Sequence, residues 1–223
     1  TKKKILNGMQ GIIKVILNLF SRKFLIKISL ILKPFFDLIF KGDRFVDPIN
    51  NKSYSYFFPY GYNKLRKNAL SPGTLSLERH RLLWIFLEKE TDFFNTENKI
   101  LHIAPEQCFY KSFKKNFESY TTCDLNSPIA EIKADVCNLP FEKNEFDFVL
   151  CNHVLEHVYD DEKAMKEIYR VLKHEGKAIL QVPVDNTFEK TIDGRDISDQ
   201  NLRNKLFGQY DHLRLYGNDY YDK

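Results

Sequence analysis

The chain has 223 residues, which suits one α/β domain with an extension or two small domains. Its hydrophobic share of 43% and charged share of 29% are ordinary for a globular protein. The net charge of +4 hides an asymmetry, because residues 1–98 carry 17 Lys and Arg against 8 Asp and Glu, whereas residues 99–223 carry 17 against 22.

Residues 1–42 are basic and apolar, but they contain no run of about 18 uncharged apolar residues, which argues against a simple membrane span. At about 100° per residue, the four cations between positions 22 and 33 share one sector of a helix and the apolar residues lie mostly opposite. Pro34 ends or kinks that helix. Two interpretations stay open: a helix at the inner face of a membrane with its cations near anionic headgroups, or a helix packed on its own protein or on a partner subunit.

Residues 43–98 form the second predicted segment. Turn formers and aromatic residues over 43–75 indicate a small β-rich or irregular region. Ser76 is a suitable N-cap for a helix that runs to about Glu90. The residues expected on the buried side of this helix are Leu82, Leu83, Ile85, Phe86 and Leu87.

From Lys99 onward, apolar runs alternate with amphipathic helices, which predicts a doubly wound, mostly parallel sheet in an α/β domain over residues 99–223. Gly176 is expected just after the second helix as its C-terminal cap. The predicted strands are Lys99–Ile103, Tyr120–Cys123, Phe146–Cys151 and Lys177–Val182, and the predicted helices cover residues 107–117 and 160–172.

The residues after each predicted strand are the candidates for chemistry, because ligands of open parallel sheets bind at the carboxyl ends of the strands. The first strand leads into Ala104-Pro105-Glu106, a turn without the glycines that usually bring backbone close to a nucleotide. Further polar positions follow the other strands: Asp124, Asp135, Asn152, His153, Glu156 and His157.

Residues 134–183, "ADVCNLPFEKNEFDFVLCNHVLEHVYDDEKAMKEIYRVLKHEGKAILQVP", resemble class I S-adenosylmethionine-dependent methyltransferases of the methyltransferase-11 type. The resemblance implies a Rossmann-like fold, methyl transfer and S-adenosylmethionine as cofactor. Most of that family reads L-D-I-G-C-G-x-G where this chain reads "LHIAPEQC", which is similar to a subgroup with H-x-A-P-E at this place. The carboxylate absent at His102 is then supplied by Glu106.

The resemblance also assigns roles to single residues. Asp124 would bind the ribose hydroxyls, Asp135 would accept from the adenine amino group beside Val136, and Asn152 would line the methionine end. The complete set of expected cofactor-binding residues is His102, Ala104, Glu106, Asp124, Leu125, Asp135, Val136 and Asn152.

The segment His153–His157 matches H-x-x-E-H, an inverted zinc-protease motif. That motif needs one long helix, whereas this segment directly follows a buried strand and predicts a turn with a short helix. A second option is a divalent ion, since similar methyltransferases with E-x-x-E-H there bind Mg²⁺; His153 in place of the first acid suits a softer metal or none. We expect no metal, with His153 and His157 as catalytic residues and Glu156 lining the acceptor pocket.

Two short stretches, Asp47-Pro48-Ile49-Asn50 and Ser71-Pro72-Gly73-Thr74, resemble the C-P-x-C knuckles that precede a "SLERHRLLW" helix in the same subgroup. No thiol remains, and oxygen ligands of this kind bind Zn²⁺ poorly. We interpret this region as a former zinc knuckle that folds without metal and that buries aromatic side chains instead.

The C-terminal residues carry the last predicted site. His212, Arg214 and Tyr216 alternate on one side of a short stretch and are the candidates for substrate contact. The resemblance implies a sheet with further strands, so we expect residues beyond Lys223, or another chain, to complete it.

The cysteines Cys108, Cys123, Cys137 and Cys151 show no C-x-x-C spacing, and no secretory signal is visible, which indicates reduced thiols in a cytoplasmic protein, peripheral at the membrane if residues 1–42 bind there. The expected function is methyl transfer to a small-molecule, glycan or lipid-linked acceptor. Two alternatives are an RNA methyltransferase that holds phosphates with its basic half, and a non-catalytic module that retains the fold.

Overall fold

The computed structural model describes residues 35, 37–61 and 65–223 of the chain. The chain divides into two compact units, Thr1–Glu90 and Thr91–Lys223. The helix predicted within residues 1–42 lies almost entirely outside the described residues. In the part that is described, no helix combines the length and the apolar character needed to cross a bilayer.

The described part of the first unit contains two antiparallel hairpins followed by a helix. The hairpins agree with the β-rich character predicted for residues 43–75. The elements are β1 (Lys41–Asp47), β2 (Lys52–Tyr54), β3 (Phe58–Tyr60), β4 (Arg66–Leu70) and α1 (Glu78–Lys89).

Helix α1 begins one residue later than predicted, with Leu77 as its N-cap. The imidazole Nδ1 of His80 accepts a hydrogen bond from the backbone N–H of Leu77 at 3.1 Å, in the way that an acidic side chain does in a capping box. The buried side follows the helical spacing of residues 80, 83, 84 and 87. The predicted burial of Leu82, Ile85 and Phe86 is therefore wrong, because these three residues lie outside that stripe and are exposed.

The two proline-containing stretches of the first unit are held by hydrogen bonds. Oδ2 of Asp47 accepts from Oγ1 of Thr74 at 2.5 Å, and Oγ of Ser71 accepts from the backbone N–H groups of Gly73 and Thr74 at 3.3 and 3.4 Å. Asp47, Ser71 and Thr74 are buried, so these bonds satisfy polar groups that water does not reach. A Cβ at Gly73 would lie 1.8 Å from the hydroxyl oxygen of Tyr54, which explains why a glycine stands there.

The second unit is built on a five-stranded sheet in the order β7-β6-β5-β8-β9, in which every neighbouring pair is parallel. The chain adds strands outward from β5 first on one side and then on the other, which confirms the predicted doubly wound fold. The strands are β5 (Ile100–Ile103), β6 (Tyr120–Asp124), β7 (Ile132–Lys133), β8 (Phe146–Asn152) and β9 (Leu172–Gln181).

Helices cover both faces of this sheet, and the two interfaces differ in composition. On one face, helix α2 (Gln107–Asn116) contributes to an aromatic cluster in which the ring of Phe93 lies 5.1 Å from the rings of both Phe113 and Phe148. On the other face, helix α3 (Asp161–Val171) packs aliphatic residues such as Ile168 into the core. The double coverage explains why the strands read as continuous apolar runs.

The junction between α3 and β9 differs from the prediction. Helix α3 ends at Val171, and Gly176 lies inside β9 rather than at a helix cap. The pairing with β8 jumps from Phe146–Leu172 to Phe148–Lys177, so extra residues of β9 form a bulge. Within that bulge Glu175 adopts a left-handed φ of 69°. Gly176 therefore belongs to a β-bulge rather than to a helix cap. A glycine shortly after a helix fits both structures, so its position in the sequence does not tell them apart.

The C-terminal residues add β10 (Ile192–Asp193), α4 (Gln200–Phe207) and β11 (Arg214–Leu215). Strands β10 and β11 pair with each other in a separate antiparallel sheet and do not join the five-stranded one, of which β9 is an edge. The expectation that residues beyond Lys223 or another chain complete the large sheet stays a prediction.

Candidate functional site

The strand order reverses at β5, so the crevice between the carboxyl ends of β5 and β8 is where an open α/β sheet binds ligands. The two sides of this crevice are directly linked. Nδ2 of Asn152, the last residue of β8, donates a hydrogen bond of 3.2 Å to Oε1 of Glu106, the N-cap of α2. The structure thus brings together two residues that the sequence predicted for the same site.

A buried relay holds the other oxygen of Glu106. Nε2 of His102 lies 2.5 Å from Oε2 of Glu106, and Nδ1 of His102 lies 2.8 Å from the hydroxyl of Tyr120. Burial raises the pKa of Tyr120, and the carboxylate of Glu106 acts in the same direction, so the phenol keeps its proton. A carboxylate only accepts, so Nε2–H of His102 donates to Glu106, and Nδ1 of the neutral imidazole is then the acceptor for the hydroxyl of Tyr120. His102 is fully buried, so it supports Glu106 and does not itself offer a surface to a cofactor.

The turn after β5 keeps the backbone shape of a glycine turn. Ala104 has a left-handed φ of 51°, and its N–H donates to the carbonyl oxygen of Cys123 in the neighbouring strand at 2.9 Å. A left-handed conformation costs an L-residue about 1–2 kcal/mol relative to the right-handed one, a cost that glycine avoids. The small side chain of Ala104 limits the obstruction of the crevice, so the absence of glycine does not remove the turn.

The end of β8 suits a cationic ligand. Asn152 is buried, and its Oδ1 has no hydrogen-bond partner among the described residues. Burial raises the pKa of the Cys151 thiol, and the carboxylates of Glu156 and Glu106 act on it in the same direction. An orphaned acceptor beside carboxylates fits the ammonium group of S-adenosylmethionine, because burial of an unpaired acceptor is costly until a donor arrives.

Asp124 ends β6, next to β5, where an acid for ribose hydroxyls is expected. Its Oδ1 accepts from the backbone N–H of Asn126 at 2.6 Å and also from the N–H of Ser127, so this oxygen shapes the loop. Oδ2 accepts no hydrogen bond from the described residues. Leu125 is 49% exposed and can cover a ligand at this edge.

Asp135 and Val136 follow β7. Oδ1 of Asp135 accepts from the backbone N–H of Cys137 at 2.8 Å, and the residue is exposed. Val136 is 7% exposed and belongs to the core cluster of the sheet. Its predicted contact with the adenine ring is therefore limited to the small part of the side chain that the core leaves free.

The segment after β8 is a tight turn and a 3-10 helix over Leu155–His157, as the sequence predicted, and it lacks the long helix of an inverted zinc-protease motif. His153 occupies the turn with a left-handed φ of 54°. Its Nδ1 lies 3.1 Å from Oε1 of Glu156. Since a carboxylate accepts, Nδ1 carries the proton in this pair and Nε2 remains the basic nitrogen.

His157 lies beside a segment that is distant in the sequence. It contacts Asp211, which is 54 positions away, and it also meets the next residue, His212. The imidazole rings of the two histidines lie 4.8 Å apart in a T-shaped arrangement. His212 is buried, and burial lowers its pKa, with His157 acting in the same direction. Glu156 is also buried. The contact between the two rings brings His212, a predicted substrate residue, next to the segment after β8.

Arg214 and Tyr216 stabilise the fold, in contrast to the predicted substrate contact. The guanidinium of Arg214 is 1% exposed and donates to the carbonyl oxygens of Leu155, Val158 and Tyr159 at 2.6, 2.6 and 2.9 Å. The hydroxyl of Tyr216, which is fully buried, donates to Oδ2 of Asp161 at 2.9 Å. Both side chains face inward from the predicted alternating stretch, and their polar atoms are already bound to protein groups.

Sequence reasoning missed two supporting residues. Tyr120 orients His102 through a hydrogen bond. Asp161 accepts hydrogen bonds from the hydroxyl of Tyr216 and, at 3.2 Å, from Nζ of Lys223. Tyr120 stands at the start of a predicted strand and Asp161 in the first turn of a helix. Both are ordinary positions for these residue types, so no local pattern marked them.

Comparison with known proteins bears on the segment that carries this site. Residues 98–180 match the family described as methyltransferase domain. An uncharacterized protein of Methanocaldococcus jannaschii is 52% identical over 52 residues, and a 2-phytyl-1,4-naphtoquinone methyltransferase of Nostoc punctiforme is 42% identical over 52 residues. Each of these matches covers 23% of this chain and 23% of the relative, so about a quarter of each curated relative is spanned.

Solved structures of similar shape include the YcgJ protein of a Bacillus species, with a TM-score of 0.47 at 18% identity over 65% of both chains. A SAM-dependent methyltransferase of Archaeoglobus fulgidus has a TM-score of 0.46 at 15% identity and covers 63% of this chain and 64% of that one. The domain match confirms the predicted methyltransferase class for residues 98–180, and with it S-adenosylmethionine as the cofactor of that class.

Proposed function

We propose that the protein transfers the methyl group of S-adenosylmethionine to a small-molecule, glycan or lipid-linked acceptor. The observation that carries this proposal is the contact between Glu106 and Asn152 across the crevice between β5 and β8. It puts a fixed carboxylate and the orphaned Oδ1 of Asn152 at the ligand-binding edge of the sheet.

Bound there, the cofactor supplies an electrophilic methyl group, and the protein supplies position and proton transfer. Glu106 and Asn152 bind the ammonium end, and Asp124 binds the ribose hydroxyls through Oδ2. His153 accepts a proton from an acceptor that must lose one, because its Nε2 is free while Nδ1 is held by Glu156. The side chain of His153 is 33% exposed, which leaves it open to an acceptor.

A small molecule is the first of the three acceptor classes to test. The support is the 52-residue similarity to a protein named as a quinone methyltransferase, together with the domain match over residues 98–180. A membrane surface is a further proposed partner, supported by the basic and apolar residues 1–42. A lipid-linked acceptor would make these two partners act together.

Calorimetric titration with S-adenosylhomocysteine, the product of methyl transfer, tests the proposal. We expect one site per chain. Asp124→Ala should weaken binding by about 1.5–3 kcal/mol, as for a lost hydrogen bond to a charged group. Asp199→Ala is the matched control, because Asp199 also accepts from the backbone N–H groups two and three residues ahead, yet it caps α4 and does not end a strand of the large sheet.

Absence of binding to the folded wild-type protein would support the non-catalytic alternative. Equal weakening by Asp124→Ala and Asp199→Ala would show that loop stability, rather than a ribose contact, governs affinity.

A further inference from the structure

Glu156, His157 and His212 form a cluster beside the end of β8 that methyl transfer does not by itself require. Each side chain offers one ligand atom, and these atoms all lie within 4.8 Å of one another. An ion with bonds of about 2.0–2.1 Å in tetrahedral geometry holds its ligand atoms about 3.4 Å apart, so side-chain movements of about 1 Å close this set around an ion. The cluster is the only one of its kind among the described residues.

Two atoms of the cluster are buried without a partner. Oε2 of Glu156 and Nε2 of His212 have no hydrogen bond within the described part of the chain, and the two residues are only 1% and 3% exposed. A buried carboxylate oxygen without a partner lowers the stability of the folded protein, because it has lost its bound water and gained no hydrogen bond in exchange. Two such atoms in one cluster indicate a common partner that binds both.

The histidine tautomers point the same way. Nδ1 of His157 lies 3.1 Å from the carbonyl oxygen of Asp211. A carbonyl oxygen only accepts, so Nδ1 of His157 carries the proton and its Nε2 has a free lone pair. His212 has its free nitrogen at Nε2 as well. Backbone carbonyls that hold the outer nitrogen in this way are typical of histidines that bind a metal ion.

We propose that Glu156, His157 and His212 bind a divalent first-row transition ion. Two imidazoles and one carboxylate suit ions such as Zn²⁺, Co²⁺ or Mn²⁺ better than Mg²⁺, which prefers oxygen ligands. Three protein ligands leave coordination positions open, as in catalytic rather than structural sites. This assignment replaces the expected catalytic role of His157 with metal binding and leaves His153 as the base.

Metal binding does not depend on methyl transfer, but the use of the open positions rests on the proposed function. An ion there would bind an oxygen atom of the acceptor, since Glu156 of the cluster is in contact with His153, the proposed base. The acceptor class that fits is therefore one with a hydroxyl or carbonyl oxygen close to the methylated atom.

The test uses the whole chain without a histidine tag, freed of metal with a chelator and titrated with Co²⁺ and Zn²⁺. We expect one ion per chain and visible absorption bands of Co²⁺ bound by nitrogen and oxygen ligands. Glu156→Gln and His212→Gln should each weaken binding by more than the roughly 10–100-fold that loss of a supporting contact costs. His174→Gln is the control, because the side chain of His174 is 95% exposed and lies outside the cluster.

Wild-type protein that is folded by circular dichroism yet takes up no stoichiometric ion would overturn the proposal. So would binding that survives both cluster substitutions or that is lost with His174→Gln. Titration with S-adenosylhomocysteine on the same metal-free sample separates the two proposals, since that ligand should still bind if the methyltransferase assignment is correct and the metal site is wrong.

Discussion

Glu106 and Asn152 bridge the point at which the strand order reverses, with Nδ2 of Asn152 donating to Oε1 of Glu106 at 3.2 Å. One residue begins helix α2 and the other ends strand β8, so the contact ties the two sides of the crevice together. His102 holds the second oxygen of Glu106 from beneath. A carboxylate fixed on both oxygens needs little reorganisation when a cation binds, which favours binding.

Ala104→Gly should stabilise the protein. Ala104 has a φ of 51°, and glycine adopts this conformation without the steric cost that an L-residue bears. After the entropy that glycine loses on folding is subtracted, we expect the free energy of unfolding to rise by about 0.5–1 kcal/mol in denaturant titrations.

Ala178→Gly in strand β9 is the matched control, because the same substitution in extended structure should lower the free energy of unfolding by about 0.5–1 kcal/mol. If both substitutions destabilise to the same extent, the turn after β5 does not hold Ala104 in the left-handed conformation.

Arg214→Met should be strongly destabilising. The substitution removes a buried cation that donates to three carbonyl oxygens, of which that of Leu155 still accepts from the N–H of Val158. It also takes away one of the partners of Asp161, whose Oδ1 lies 3.6 Å from the guanidinium. Breaking a buried pair in this way costs about 3–5 kcal/mol, measurable as a loss in the free energy of unfolding.

The comparison for Arg214 is Arg195→Met, which removes another arginine–aspartate pair. Arg195 and Asp193 have side chains 35% and 36% exposed, and pairs of this kind contribute about 0–1 kcal/mol. Similar losses in the two variants would contradict the structural role given to Arg214.

Residues 1–34 should bind anionic liposomes if they form the interfacial helix. Flotation with vesicles that contain phosphatidylserine should recover the full chain, recovery should fall as salt rises, and uncharged vesicles should recover little. The chain that lacks these residues should stay in solution and keep its affinity for S-adenosylhomocysteine.

Two results would contradict the membrane interpretation. Insolubility of the shortened chain would indicate that the segment packs as protein core, and salt-sensitive binding to RNA without flotation would favour the RNA alternative.

The sequence predicted four of the five strands of the large sheet, because each of these four has a local signature, but it did not predict the two-residue strand β7. The predicted Tyr120–Cys123 and Phe146–Cys151 differ from the observed strands by one residue at the C-terminal end. The prediction that Gly176 caps a helix was wrong. A glycine after a helix fits either a cap or a bulge, and only the pairing of β9 with β8 distinguishes the two. Burial along α1 was misassigned because neighbouring aliphatic and Phe residues were all placed inward, whereas Trp84, which was not predicted to be buried, belongs to the buried stripe.

The site was predicted in parts rather than as an arrangement. Strand ends located Glu106, Asp124 and Asn152, since the carboxyl ends of parallel strands share one edge. The approach of His212 to Glu156 depends on β11 and the segment before it folding back, and no spacing in the sequence encodes that. For the same reason Arg214 was assigned to substrate although its partners are backbone carbonyls, which a sequence does not reveal.

The central claim, that Glu106 supplies the carboxylate for the ammonium end of the cofactor, is tested most directly by Glu106→Gln titrated with two ligands. S-Adenosylhomocysteine carries the amino acid end, whereas 5′-methylthioadenosine keeps the adenosine and lacks it. We predict that the substitution weakens S-adenosylhomocysteine by about 1.5–3 kcal/mol, the range for a lost charged hydrogen bond, and leaves 5′-methylthioadenosine unchanged. Equal affinities of wild type and variant for S-adenosylhomocysteine, or equal losses for both ligands, would contradict the account.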